Sequence, residues 1–179
     1  MKKALVVFYS MDDGTRAIAE KIASAIKADV LRLATISKAE KIYYQHAESP
    51  DRVDDLEVPN GETRYIWGVE SVDMKEIPDL ENFELDPAKY DLVIIGTPVW
   101  SLSYAPPLNS FFNKVSLEGK KVAFFCTHEG MIGNTFEAME KKLGSSMVID
   151  AIDFQNVSMN LEPSLKKAQD WAKSLITKI

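Results

Sequence analysis

The stretch "VVFYSMDDGTRAIAEKIA", residues 6–23, changes its hydrophobic period once, and that change decides the fold class. Up to Tyr9 the residues are continuously apolar, as in a strand covered on both faces. From Thr15 the spacing becomes helical: Ile18, Ile22, Ala25 and Ile26 share one stripe, with Arg16, Glu20, Lys21 and Lys27 largely opposite. Between the two patterns stands Ser10-Met11-Asp12-Asp13-Gly14, a strand-to-helix turn carrying adjacent aspartates. Backbone N–H groups at such a helix start, with the hydroxyls of Ser10 and Thr15, form an anion site, and Gly14 allows close approach. The turn is neither G-x-G-x-x-G nor G-x-x-x-x-G-K-[ST]. The same residues also suit an ordinary turn with Asp12 or Asp13 as the N-cap.

Working outward, "KALVVFY" (3–9), "DVLRLAT" (29–35), "YDLVIIG" (90–96), "KKVAFFCT" (120–127) and "SMVIDAIDFQNV" (146–157) predict strands. The run at 90–96 is the most apolar and is expected at the centre of the sheet. Helices are predicted over 15–28, from Pro106-Pro107, over "GNTFEAMEKKLG" (133–144) and over 162–179, the last with Pro163 in its first turn. Strands alternating with helices imply one α/β domain over 1–179, a parallel sheet with helices on both faces. The exception is an irregular insertion at about 36–89, rich in charge, Pro and Gly, and loops of that length are usually functional or mobile.

Composition narrows the function classes. At 179 residues the chain can bury about 70% of the surface its unfolded form exposes. With 21 Lys and Arg against 27 Asp and Glu, the net charge of −6 argues against nucleic-acid or anionic-membrane surfaces. No apolar run approaches the ~20 residues of a membrane span. The basic-then-apolar start is too short for a signal peptide and lacks a cleavage site, so a cytoplasmic protein is expected. The single cysteine, Cys126, rules out an internal disulfide and a multi-cysteine metal site; as the end of a buried strand it is expected to serve packing.

In open parallel sheets, ligands bind beyond the carboxyl ends of the strands where the strand order reverses. That directs attention to "SMDDGT", "TPVWSLSYAPP" and "THEGMIGN". Trp100 and Tyr104 in the second loop suit stacking on a flat ring with backbone amides at its edge; alternatively Trp100 simply covers the sheet end. Gly130 and Gly133 in the third loop permit backbone approach to the other side of such a ring. His128 either assists proton transfer there or is a solvated loop histidine. Tyr43, Tyr44 and Trp67, in the insertion, either cap the site or form a local apolar cluster.

Together the loops resemble the flavodoxin family. The resemblance runs from Lys3 to about Lys142 and is carried by "YS" before a G-T-bearing turn, "YDLVIIGTPVW" followed by "APP", and "KKVAFFCT" with its glycine-containing loop. "GTPVW…APP" is the most specific element, and "RYIWGVESVDMKEIPDL" looks like the spacer of longer relatives. The resemblance implies a flavodoxin-like three-layer sandwich with a five-stranded parallel sheet ordered 2-1-3-4-5. It implies flavin mononucleotide (FMN), with phosphate in the first loop and isoalloxazine between the second and third. Ser10, Gly14 and Thr15, with backbone from Met11 through Asp12 and Asp13 to Arg16, would then hold phosphate. Thr97, Pro98, Val99 and Trp100 would line one flavin side, and Thr127, His128, Glu129, Gly130 and Gly133 the other.

The chain departs from the family at Asp12-Asp13-Gly14, where relatives usually carry a hydroxyl residue and then Gly-Asn. A carboxylate ~6 Å from one unit charge at an effective dielectric of ~20 costs roughly 3 kcal/mol. Phosphate therefore requires that the aspartates turn outward or that a cation such as Arg16 offset them. Paired aspartates also mark response-regulator receivers of the same topology, but those need an aspartate after the central strand and a lysine after the fifth. Here Gly96-Thr97-Pro98 and "FQNVSM" stand at those places, so no metal site and no catalytic residue is assigned. The function implied is electron transfer, with redox partner proteins docking near the flavin edge of a monomer or homodimer. The alternatives are an FMN-dependent NAD(P)H:quinone-type reductase using the insertion, or a flavin-free binding protein.

Overall fold

β1 (Ala4–Phe8) lies between β2 (Asp29–Arg32) and β3 (Leu92–Trp100) and runs parallel to both, with Val6 opposite Val30 on one side and Ile94 on the other. The computed structural model describes residues 2–11, 13–36 and 74–179. β3 pairs in parallel with β5 (Lys121–His128), and β5 with β6 (Met147–Gln155), so the path is β2-β1-β3-β5-β6. That is the expected five-stranded order. A short β4 (Ser103–Tyr104) pairs antiparallel with the end of β3. The helices are α1 (Asp13–Ile26), α2 (Pro107–Lys114), α3 (Thr135–Glu140) and α4 (Leu161–Thr177).

Alternate residues of each central strand feed opposite cores, as the twofold side-chain period requires. Leu5, Val7, Val93, Ile95, Val122 and Phe124 pack on one face with Leu108 and Phe111 of α2 and Met139 of α3. Val6, Phe8, Ile94, Ala123 and Phe125 pack on the other with Ile18 and Ile22 of α1 and Ala168, Ala172 and Leu175 of α4. Burial on both faces explains why these strands read as unbroken apolar runs. Ile18 and Ile22 are buried as the helical stripe predicts, whereas Ala25 and Ile26 are only half-buried and Ala19 and Ala23 take their place.

Several boundaries differ from the sequence expectation, β2 for instance ending at Arg32 rather than Thr35. β3 continues past Gly96 to Trp100, because its end finds a new partner in β4, with Val99 opposite Tyr104 and Trp100 opposite Ser103. The helix expected over 133–144 is helical only from Thr135 to Glu140, its flanks forming turns. Of the insertion, residues 74–86 return along the sheet edge through a Thr35–Leu80 bridge, then a 3-10 turn at Pro87–Lys89 leads into β3. Asn109 anchors this return by donating to the carbonyls of Met74 and Glu76, at 3.0 and 2.9 Å. Tyr43, Tyr44, His46 and Trp67 lie outside the described residues.

Gly96 has a steric reason to be glycine. It faces Phe125 across the β3–β5 ladder, and a Cβ built on it would lie 1.9 Å from that ring. Since Phe125 is fully buried, the ring has little room to retreat. Gly96→Ala is expected to cost roughly 1–3 kcal/mol of unfolding free energy through overpacking. Chemical denaturation with an unchanged m-value checks this, and an unaltered midpoint would show that Phe125 can yield.

Candidate functional site

The strand order reverses at β1 and β3, which send their connections to opposite faces and leave a crevice at their carboxyl ends. In the first loop, Ser10 is buried at the end of β1 and its Oγ accepts the Arg16 N–H at 3.2 Å. The Ser10 carbonyl accepts from Arg32 Nη2, also at 3.2 Å. Thr15, wholly buried one turn into α1, places its hydroxyl 2.7 Å from that of Thr127 at the end of β5. Asp13 opens α1 and is exposed, where its carboxylate favours the helix N-terminus. Asp12 lies outside the described residues. Arg16 turns along the helix to pair with Glu20 at 2.7 Å.

The second loop is a tight hairpin. Thr97 is buried; its hydroxyl donates to the Pro98 carbonyl at 2.8 Å and accepts the Ala105 N–H at 3.0 Å, pinning the two ends of the hairpin. Pro98, Val99 and Trp100 are half-buried on the strand rather than on an exposed turn. Trp100 packs edge-on against Tyr9, ring centroids 5.6 Å apart and planes at 90°. At the tip, Ser101 and Leu102 both adopt positive φ, 45° and 61°. Tyr104 is not at the rim: it is buried, with its hydroxyl donating to Asn109 Oδ1 at 2.7 Å.

The third loop is held from two sides. The Leu102 carbonyl accepts the Asn134 N–H at 2.9 Å, and a Cβ on Gly133, whose φ is +55°, would lie 2.1 Å from that carbonyl oxygen. Gly133 is thus required by the approach of the second loop. Gly130 has open space where a Cβ would point, and it and Glu129 are exposed. His128 is not a solvated histidine. Its side chain is only 7% exposed, with Nδ1 at 2.9 Å from the Gly130 carbonyl and Nε2 at 3.1 Å from Asp153 Oδ2. Partial burial pushes the Asp153 carboxyl up, but the His128 hydrogen bond and the charge of Lys167 outweigh it and hold it below its ordinary value. Cys126, beside this pair in the sheet, is fully buried, and burial pushes its thiol up to about 12. It is packing, as expected.

The structure therefore brings Ser10, Thr15, Thr97 and Thr127 to one sheet edge and ties the loops that bear them to one another. Sequence spacing missed Tyr9, Arg32, Leu102 and Asp153. The first two were visible only as strand residues, and Asp153 reaches His128 through a register that no local pattern encodes. Among the described residues, no group of three His, Cys, Asp or Glu side chains can hold a metal, and no helix is long and apolar enough to cross a membrane.

These features define a doubly wound α/β protein whose three loops at the carboxyl ends of β1, β3 and β5 are joined to one another. Residues 3–174 match the family model described as flavodoxin, and the chain belongs to the flavodoxin family. No curated protein matches it in sequence. Among solved structures, a flavoprotein from Bacteroides eggerthii is similar at 21% identity, covering 97% of this chain and 98% of that one with a TM-score of 0.65. A flavoprotein from Lactobacillus acidophilus, solved in complex with FMN, is similar at 21% identity over 90% and 98% of the two chains, TM-score 0.60. Oxidised flavodoxin 1 from Bacillus cereus is similar at 15% identity over 99% of each, TM-score 0.55. At these identities the likeness is one of fold.

The Thr15–Thr127 pair is the link most open to test. Removing one hydroxyl strands the other in a buried site, which costs about 1–3 kcal/mol, whereas removing both does not. Thr15→Val and Thr127→Val are each expected to destabilise by that order, and the double variant by less than their sum. Strict additivity in a double-mutant cycle would mean the two hydroxyls do not support each other.

Proposed function

We propose that the protein binds FMN and serves as an electron carrier. The observation that carries this is the tying of three loops at the strand-order reversal, first to third by the Thr15 and Thr127 hydroxyls and second to third by the Leu102 carbonyl and the Asn134 N–H, in a chain of the flavodoxin family. The donor set fits the group. Ser10, Thr15 and the backbone from Met11 to Arg16 at the start of α1 would hold the phosphate. Thr97, Pro98, Val99 and Trp100 would line one side of the ring system; Thr127, His128, Glu129, Gly130 and Gly133 would approach the other. Bound FMN supplies the ability to take up and release electrons. The chain's own residues orient the ring, keep water from its buried side and leave an edge reachable past exposed Leu102 and Met131. A carrier needs nothing more than that edge and a partner surface, and the net charge of −6 suits basic redox partners.

The visible spectrum of the protein after FMN loading and removal of unbound flavin tests the proposal: a retained flavin band is expected, with clear preference for FMN over FAD in equilibrium dialysis. Slow NAD(P)H oxidation by the loaded protein is expected of a carrier, and rapid oxidation would select the quinone-type reductase instead. Trp100→Ala should weaken FMN binding by roughly 1–2 kcal/mol, the order of one lost aromatic stack. Unchanged affinity would make Trp100 a sheet-end cover.

A further inference from the structure

The first loop has an unusual charge balance for a phosphate site, and its resolution is visible in the side chains. Asp13 begins α1, Asp12 precedes it, and the basic residue nearest in sequence, Arg16, is turned along the helix into an ion pair with Glu20. Arg16 is thus shared between the carboxylates of Glu20 and of Asp13 in the loop. A second guanidinium reaches the loop. Arg32 ends β2, level with Phe8 across the parallel ladder, and extends over the carboxyl end of β1 to donate from Nη2 to the Ser10 carbonyl. The backbone beneath it is fixed, because the following residue, Leu33, donates its N–H to the Phe8 carbonyl at 2.8 Å. Ser10 is thus gripped twice, at its carbonyl by Arg32 and at its hydroxyl by the Arg16 N–H.

We propose that Arg32 is the residue that makes this site select a phosphate-bearing flavin over one without phosphate. The inference rests on the FMN assignment above and deepens it. One donor of the guanidinium is spent on the Ser10 carbonyl, which leaves the charge, permanent at any working pH, beside the loop, with further N–H groups to spare. It brings a positive charge to the Ser10 end of a loop that also carries the carboxylate of Asp13, where a dianionic group would meet it beside the partial charge of a helix end. The residue sits on the edge strand, so no local motif in the loop sequence announces it.

The test compares FMN with riboflavin, which has the same ring and no phosphate, on four forms of the full chain: wild type, Arg32→Gln, Arg32→Lys and Lys27→Gln. Lys27 follows the far end of α1, about 20 Å away by helix rise, beyond the screening length at physiological salt, so it controls for net charge alone. Arg32→Gln should weaken FMN about tenfold and riboflavin less than about twofold, with the FMN loss shrinking as salt rises. Arg32→Lys should stay within about threefold of wild type, and Lys27→Gln should match it. Equal losses for both flavins, or equal losses in the Gln and Lys variants, would make Arg32 a support of the loop and overturn the proposal. An unchanged FMN affinity in Arg32→Gln would overturn it too. Failure of the wild type to bind either flavin would remove the FMN assignment and this inference together, whereas the preceding outcomes leave the assignment standing. Circular dichroism and thermal melting establish that each variant is folded; Arg32 is exposed, so its replacement leaves the core intact.

Discussion

The bond between the Thr15 and Thr127 hydroxyls, 2.7 Å long and wholly buried, joins parts of the chain 112 residues apart. One hydroxyl belongs to the first turn of α1, the other to the last residues of β5. Neither helix start nor strand end could be placed independently once this link exists, since an unmade partner in such a site is costly. Through Thr15 the link fixes where α1 begins, and hence where Ser10 and its loop lie. Through Thr127 it fixes where β5 hands over to the third loop. The hydroxyl of Thr97 does the equivalent for the hairpin, closing it onto Ala105. The crevice at the sheet edge is thus built from threonines that face inward, and not from the loops themselves.

Much of the fold was legible because strands buried on both faces leave continuous apolar runs, and β1, β3 and β5 have no exposed face to interrupt them. Alternation with helices gave the parallel sheet, and the family resemblance gave its order. What was hidden depends on pairing between distant segments. β4 is two residues long and exists only because β3 has a free end to continue. "GNTFEAMEKKLG" reads as one helix, yet Gly133 is committed to the Leu102 carbonyl and the helical part shortens to Thr135–Glu140. Within the site, Ser10 and Thr15 stand at a strand-to-helix change of period that is legible in the sequence, whereas Thr97 and Thr127 were named through the family resemblance. His128 was harder: its spacing suggests a lone loop residue, whereas the β5–β6 register brings Asp153 and Gly130 to its two nitrogens.

The aspartates after β1 pose an electrostatic problem that the fold answers in parts. Asp13 is exposed at a helix N-terminus, a position that favours a carboxylate and lets water screen it. Arg16, three residues on, feels the Asp13 charge while pairing with Glu20 one turn further on the same helix face. The Arg32 guanidinium reaches the Ser10 carbonyl from the neighbouring strand. Two arginines thus serve this loop, one from α1 and one from β2, and the i,i+4 geometry of α1 shares the first of them with Glu20.

The hairpin tip shows what the third loop costs to hold. A two-residue turn with both residues at positive φ is ordinarily filled by Asn-Gly, because a Cβ in that region is unfavourable by roughly 1–2 kcal/mol. Here the residues are Ser101 and Leu102, and the strained leucine is also half-exposed. Its carbonyl is the one that receives the Asn134 N–H and sits against Gly133. The strain thus buys no local hydrogen bond that glycine would lack; what the leucine adds is an exposed apolar side chain. Strain held at a loop tip by packing elsewhere is characteristic of functional edges. Here it is sustained by the same threonine-pinned hairpin that carries Trp100, and the Leu102 carbonyl joins that hairpin to the third loop.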